Sequence, residues 1–92
     1  MKLTEIDIEN AQFLLSQKNI NEPSNDQIAT EFVRYHRNGL LQITDWWVLP
    51  DRTPTQAQLD YRQALRDLPA NASPSLDENG NLTGVNWPTK PE

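Results

Sequence analysis

The sequence predicts a mainly α-helical protein: a small helical hairpin with an additional N-terminal helix and an extended, proline-containing C-terminal tail. Three observations predict this fold. Apolar residues recur at helical spacing in three segments, two of those segments begin with a Ser or Thr followed three residues later by Gln, and the periodicity stops at Pro69. We therefore divide the chain into an N-terminal helix and turn (1–23), the hairpin (24–69) and a tail (70–92) anchored by Trp87.

The composition bounds the class of protein. The chain has 92 residues, a net charge of -5 and no cysteine, so we expect one small domain without disulfides or a thiolate zinc site. The excess of acidic residues argues against nucleic-acid binding. No segment approaches the roughly 20 apolar residues of a membrane span, and the N-terminus does not resemble a signal peptide. We expect the chain to stay in the cytosol.

The first helix is predicted from about residue 7 to about residue 19, with Asp7 as its N-cap. Residues at helical spacing support it: Ile8, Ala11, Leu14, Leu15 and the polar Lys18. An alternative is a short strand, because Thr4, Ile6 and Ile8 alternate with acidic residues. Residues 19–23 are predicted to form a turn.

The second helix is predicted to begin at Ser24, which forms a capping box with Gln27. Two adjoining apolar stripes follow, the first comprising Ile28, Phe32, Tyr35, Ile43 and Trp46, the second Ala29, Val33, His36, Leu40 and Trp47. The helical period continues across Gly39, and one glycine costs only about 1 kcal/mol in a helix. We predict one long helix, with Gly39 as the site of any bend, ending before Pro50.

The third helix is predicted to begin with a second capping box, Thr53 and Gln56, with Pro54 at the first helical position. Its apolar stripe comprises Ala57, Tyr61, Ala64, Leu65 and Leu68, and stops before Pro69. A short connection predicts antiparallel helices, with Tyr61 and Leu65 packed against residues 40–47.

The tail is predicted to be mostly extended. Asn79-Gly80 is a hairpin signal that would pair Leu76 with Leu82, although two strands alone are marginally stable in water. Trp87 is expected to fold back onto the hairpin or onto a partner.

Neither His36 nor the tail predicts a metal centre. His36 is the only histidine, and we interpret it as a partly buried structural residue. Asp77, Asn79 and Asn81 resemble the start of a calcium loop, but the glycine is misplaced and the closing glutamate is missing. We expect no metal and no cofactor.

Asp45 and Asp51 lie on either side of the paired tryptophans, and glycosidases use a pair of such carboxylates in catalysis. A chain this small cannot form the deep cleft that such a site needs, so we expect these carboxylates to cap helices or to pair with Arg37 or Arg52. We predict that the protein is not an enzyme.

The tryptophans are the main candidates for partner binding. Trp46 is predicted to close the core at the hairpin turn, whereas Trp47 and Trp87 are predicted to be exposed partner contacts. Arg62 and Arg66 lie one helical turn apart beside acidic residues. That pattern is typical of a solvated face, and we add both arginines to the candidate partner contacts.

Five runs in order carry a family resemblance: RNGLL (37–41), TDW (44–46), LPD (49–51), YRQALRDLP (61–69) and WPTKP (87–91). Together they resemble the phage tail assembly chaperone family, and similar endings occur in phage tail fibre assembly proteins. The resemblance covers about the C-terminal two thirds of the chain and leaves residues 1–35 outside.

The resemblance implies a non-enzymatic protein that binds a phage tail fibre or another tail protein and helps it fold or assemble in the host cytoplasm. We expect no nucleic acid, membrane or small-molecule substrate as a partner. Two alternatives stay open. The chain could be a permanent minor component of the tail or baseplate-fibre complex, retained in the virion, or an acidic regulator of a host protein, which only the net charge favours.

Overall fold

A computed structural model describes residues 1–91 and confirms a mainly α-helical fold. The helices are α1 (Glu5–Ser16), α2 (Asn25–Thr44) and α3 (Gln56–Asn71), with a 3₁₀ helix (Asp45–Val48) directly after α2. Two short strands, β1 (Ser75–Leu76) and β2 (Leu82–Thr83), follow α3. None of the helices within residues 1–91 has the length and apolar content to cross a membrane.

Helix α1 begins earlier than predicted, because Thr4 and not Asp7 is its N-cap. The Thr4 hydroxyl accepts a hydrogen bond from the Asp7 N–H at 3.1 Å, and the Thr4 N–H donates to the Asp7 carboxylate at 2.9 Å. Asp7 is therefore the acidic partner of a capping box that starts the helix at Glu5. The alternative of a strand over residues 4–8 is wrong.

The end of α1 also differs from the predicted residue 19. The helix ends at Ser16, and Asn19 adopts a positive φ of 65°. The Ile20 N–H then donates to the Leu15 carbonyl at 3.0 Å, a bond that closes the helix end. The predicted turn after the first helix is confirmed.

Helix α2 begins as predicted, with reciprocal hydrogen bonds between Ser24 and Gln27. It continues through Gly39 without interruption. Leu49 has φ -64° and ψ 152°, the extended conformation expected of a residue before Pro50. The capping signal therefore predicted the start of α2 correctly, and the proline signal predicted where helical structure ends, after the 3₁₀ helix.

The prediction of one long α-helix is correct only as far as Thr44. There the Asp45 N–H donates to the Gln42 carbonyl, three residues back, and the backbone tightens into the 3₁₀ helix. The Leu41 carbonyl accepts hydrogen bonds from the Thr44 hydroxyl at 3.2 Å and from Arg62 Nη1 at 3.0 Å. Two side chains thus satisfy an acceptor near the end of α2.

Helix α3 departs from the prediction at both ends. Its capping box is Thr55 with Gln58, not Thr53 with Gln56; both pairs have the same spacing, so the pattern alone could not separate them. The helix also continues through Pro69 to Asn71. A proline in the last turn removes one helical hydrogen bond. The helix nevertheless continues past Pro69, and the neighbouring Leu68 is buried.

Helix α1 packs antiparallel against the first half of α2. Their contact is a buried cluster of Ala11, Leu15 and Ile28, against which Ile8, Ile20 and Leu76 pack. Just after the end of α1, Lys18 Nζ forms an ion pair with the Glu31 carboxylate of α2 at 3.1 Å. The apolar stripe predicted for α1 is therefore the face that meets α2.

Helix α3 packs antiparallel against the second half of α2. Trp47, Tyr61 and Leu65 form a second buried cluster, flanked by Leu40 and Leu41. Burial raises the pKa of the Tyr61 phenol. The predicted contact of Tyr61 and Leu65 with the end of the longer helix is confirmed.

The tail forms the predicted hairpin, with Leu76 opposite Leu82. The N-terminus extends it, since the Leu82 N–H donates to the Met1 carbonyl at 2.7 Å and the Leu3 N–H donates to the Gly80 carbonyl at 3.0 Å. These bonds join the N-terminal segment to the tail hairpin and supply partners that an isolated hairpin lacks. The division at residues 23 and 69 stays a prediction.

The Asp77 side chain accepts hydrogen bonds within its own turn. Its Oδ1 accepts hydrogen bonds from the N–H groups of Asn79 and Asn81, each at 2.9 Å. The bond from the Asn81 N–H is the main cause that lowers the pKa of Asp77. Within residues 1–91 no group of three or more acidic or histidine side chains could hold a metal ion.

We predict that Gly84→Ala destabilises the fold more than Gly80→Ala. Both glycines have φ close to +78°, so alanine at either position is strained by about 1–3 kcal/mol. Only at Gly84 would the new Cβ also meet backbone, 2.0 Å from the Ser73 carbonyl oxygen. Urea unfolding of both variants measures the difference, and equal losses would show that the Ser73 backbone moves away freely.

Candidate protein-binding surface

The end of α2 and the connection to α3 expose a group of apolar side chains. The turn patch, as we call it, consists of Ile43, Trp46, Val48 and Leu49, all of which are exposed. The Arg52 guanidinium lies over the Trp46 ring, 4.7 Å from its centroid. Exposed apolar side chains grouped in this way are common at protein contacts.

The two adjacent tryptophans have solvent exposures opposite to those predicted. Trp47 is only 5% exposed and packs against Tyr61, with ring centroids 6.1 Å apart, whereas Trp46 is 47% exposed. The predictions that Trp46 is buried in the core and that Trp47 is exposed are therefore wrong. Trp47 belongs to the core between α2 and α3.

The lengths of the helices explain this reversal. Helix α1 has 12 residues and α2 has 20, which correspond to about 18 Å and about 30 Å. On the first stripe of α2, Ile28 and Phe32 are buried, but Tyr35, Ile43 and Trp46 are exposed. Helix α3 packs against the C-terminal part of the second stripe, where Leu40 and Trp47 lie, and buries Trp47.

Arg62 is buried, in contrast to the predicted solvated face. Its Nη1 donates to the Leu41 carbonyl at 3.0 Å and to the Thr44 hydroxyl at 2.7 Å, and its Nη2 donates to Asp45 Oδ1 at 2.9 Å. The guanidinium therefore joins α3 to the end of α2. Its position three residues before Leu65, on the inner side of the α3 stripe, was the signal in the sequence for this role.

The predicted partners of Asp45 were also wrong. Asp45 pairs with Arg62, whereas Arg52 lies over Trp46 and Arg37 donates to the Asn38 side chain at 2.8 Å. Arg37 and Arg52 are near Asp45 in the sequence, but α3 places the Arg62 guanidinium next to the Asp45 carboxylate in space.

Arg66 is exposed and lies about three helical turns beyond the start of α3. Its Nη1 donates to the Gln63 side chain at 3.3 Å, and Gln63 in turn donates to Asp67 at 3.0 Å. Arg66 thus belongs to a polar surface away from the turn patch. Its role as a partner contact stays a prediction.

Trp87 is half-buried against the middle of α2. Its ring meets His36 edge-on, with centroids 4.9 Å apart, and His36 stacks on Phe32. The prediction of a partly buried His36 is confirmed. Further along the tail, Lys90 Nζ lies 5.9 Å from the centroid of the Trp47 ring. The structure does not bring Trp87 into the turn patch, and a partner contact through it stays a prediction.

The fold and the turn patch define the class of protein: a small, mainly α-helical chain with an exposed apolar surface of the kind that commonly contacts other proteins. A family model described as "Phage tail assembly chaperone protein" matches residues 30–92. The chain therefore belongs to the phage tail assembly chaperone family. The match begins inside α2 and includes residues 30–35, which the sequence motifs had left outside. No curated protein and no solved structure matches the chain.

Proposed function

We propose that this chain is a non-enzymatic chaperone that binds a phage tail fibre protein in the host cytoplasm and helps it to fold or attach. Membership of the family supplies the role in tail assembly. The fibre as partner is our inference, and the ending WPTKP at residues 87–91 supports it, because similar endings occur in tail fibre assembly proteins.

The observation that carries the proposal is the exposure of Trp46 in the turn patch. Tryptophan and arginine are enriched among the residues that dominate binding energy at protein interfaces, and Arg52 lies directly over Trp46. A chaperone for an assembling protein covers apolar surface that would otherwise aggregate. The turn patch offers apolar side chains for that contact.

We predict that Trp46→Ala weakens binding to the tail fibre protein by about 30-fold or more, the effect of losing an interface residue worth about 2 kcal/mol. The free energy of unfolding should change by less than about 1 kcal/mol, because about half of the Trp46 surface is exposed and its cation–π contact is weak. Pull-down after co-expression, followed by calorimetric titration, measures the affinity.

The matched control is Phe13→Ala. Phe13 is an aromatic residue of α1 that is 64% exposed and lies outside the family match, so we expect this variant to bind normally. An equal loss in both variants would show that the turn patch is not the contact surface. If the native chain forms no complex and the fibre protein is equally soluble without it, the proposed function is wrong. If purified virions contain this chain at a fixed stoichiometry, the chain is instead a permanent component of the tail.

A further inference from the structure

Gly39 is a glycine that the fold of this chain does not require. It lies inside α2, and a Cβ built on it meets no atom within 4 Å. It also differs from Gly80 and Gly84 in lacking a positive φ. Glycine destabilises a helix relative to alanine, so neither backbone conformation nor internal packing accounts for it.

The missing side chain leaves a groove on the surface of α2. The groove has a volume of about 400 Å³, and its apolar rims are Tyr35 and Ile43, one helical turn before and after Gly39, which are 57% and 60% exposed. The amide side chains of Asn38 and Gln42 line one side. The ionisable groups in the lining are His36 and the Tyr35 phenol.

This groove continues the interface between α1 and α2. Side chains along α1, including Asp7, Ala11 and Leu14, line a small cavity together with Phe32 and Tyr35 of α2. Beyond Tyr35, the same stripe continues through Gly39 and Ile43 of α2 to Trp46 in the 3₁₀ helix, and Ile43 and Trp46 are exposed. This open part is about 16 Å long, close to the length of α1 itself.

We propose that the groove over Gly39 receives an amphipathic α-helix of the tail fibre protein, lying end to end with α1 along α2. A large apolar side chain of that helix, such as Leu, Met or Phe, would fill the space over Gly39 between Tyr35 and Ile43. Amphipathic helices commonly bind other proteins by placing their apolar face in such a groove. The lining contains no Asp, Glu, Lys or Arg, and Tyr35, Leu40 and Ile43 offer that face apolar contacts. This inference rests on the proposed function.

The test is Gly39→Leu, because its expected effects on stability and binding have opposite signs. A Cβ at this position meets open space and leucine favours the helix, so Tm should rise by about 4–8 °C. The same side chain fills the groove, so affinity for the tail fibre protein should fall at least tenfold. Gly39→Ala should raise Tm similarly with a smaller loss of affinity. The control Ala64→Leu adds a leucine to an exposed position of α3 and should bind normally.

Three outcomes would overturn the inference. If the native chain binds the fibre protein and Gly39→Leu binds it equally well, the groove is unused, although the proposed function stands. If the native chain binds no fibre protein, both proposals fail. If sedimentation shows that the native chain is a dimer and Gly39→Leu a monomer, the occupant is a second copy of this chain.

A photo-crosslinking residue in place of Tyr35 identifies the occupant directly. We expect attachment to a fibre segment whose apolar residues recur at helical spacing. Attachment to a segment with strand-like alternation would show that the occupant is not a helix.

Discussion

Replacing Trp47 by alanine is expected to lower the free energy of unfolding by about 3–5 kcal/mol. Trp47 is buried and fills the space between α2 and α3, where it contacts Tyr61 and Leu65. Small domains have total stabilities of about 5–15 kcal/mol. The loss is therefore large enough to leave a substantial fraction of the chain unfolded at physiological temperature.

Circular dichroism during urea unfolding measures this effect without depending on tryptophan fluorescence. The matched control is Trp46→Ala, which makes the same chemical change one residue away, at an exposed side chain. We expect the control to lose less than about 1 kcal/mol. Equal losses in the two variants would contradict the burial of Trp47 and the exposure of Trp46.

Replacing Arg62 by alanine is expected to lower the free energy of unfolding by about 2–3 kcal/mol. The guanidinium donates to the Leu41 carbonyl and the Thr44 hydroxyl at the end of α2, and its removal takes a donor from both. The packing of its buried aliphatic stem is lost as well. Arg62→Lys should recover only part of the loss, since an ammonium group cannot reproduce the fork of donors.

The control for Arg62 is Asp45→Asn, which removes the negative charge of the ion pair. The Asp45 side chain is 62% exposed, so this change should cost less than about 1 kcal/mol. If Asp45→Asn destabilises as much as Arg62→Ala, the ion pair, and not the contacts with Leu41 and Thr44, is the main contribution of Arg62. Thermal unfolding at low and high salt separates the two contributions, because salt weakens only the ion pair substantially.

Features that depend on a few neighbouring residues could be predicted from the sequence. The capping box of Ser24 and Gln27 joins residues three apart, and the extended backbone at Leu49 follows from Pro50 beside it. The tail hairpin likewise follows from its Asn-Gly turn, which sets Leu76 opposite Leu82. Errors in this group arose where two overlapping patterns satisfied the same rule, as for Thr53 and Thr55.

The candidate site was predicted less well, because it depends on contacts between distant residues. The hydrogen bonds of Arg62 reach residues 17 to 21 positions away in the sequence. Local charge spacing therefore indicated a solvated face where the structure has a buried link. Two features of the sequence could have indicated these contacts. Arg62 lies next to the inner stripe of α3, which favours its burial, and Gly39 lies within a helix that has no local need for a glycine, which indicates the groove.

The sequence by itself determined that α2 is a helix across Gly39, and it placed Trp46 and Trp47 on two adjoining stripes of that helix. Only the tertiary structure decided which stripe is buried. Helix α1 covers the first stripe only as far as Tyr35, and α3 covers the second stripe around Trp47. Helical periodicity sets the direction of each side chain, whereas burial depends on the length and position of the helices that pack against it.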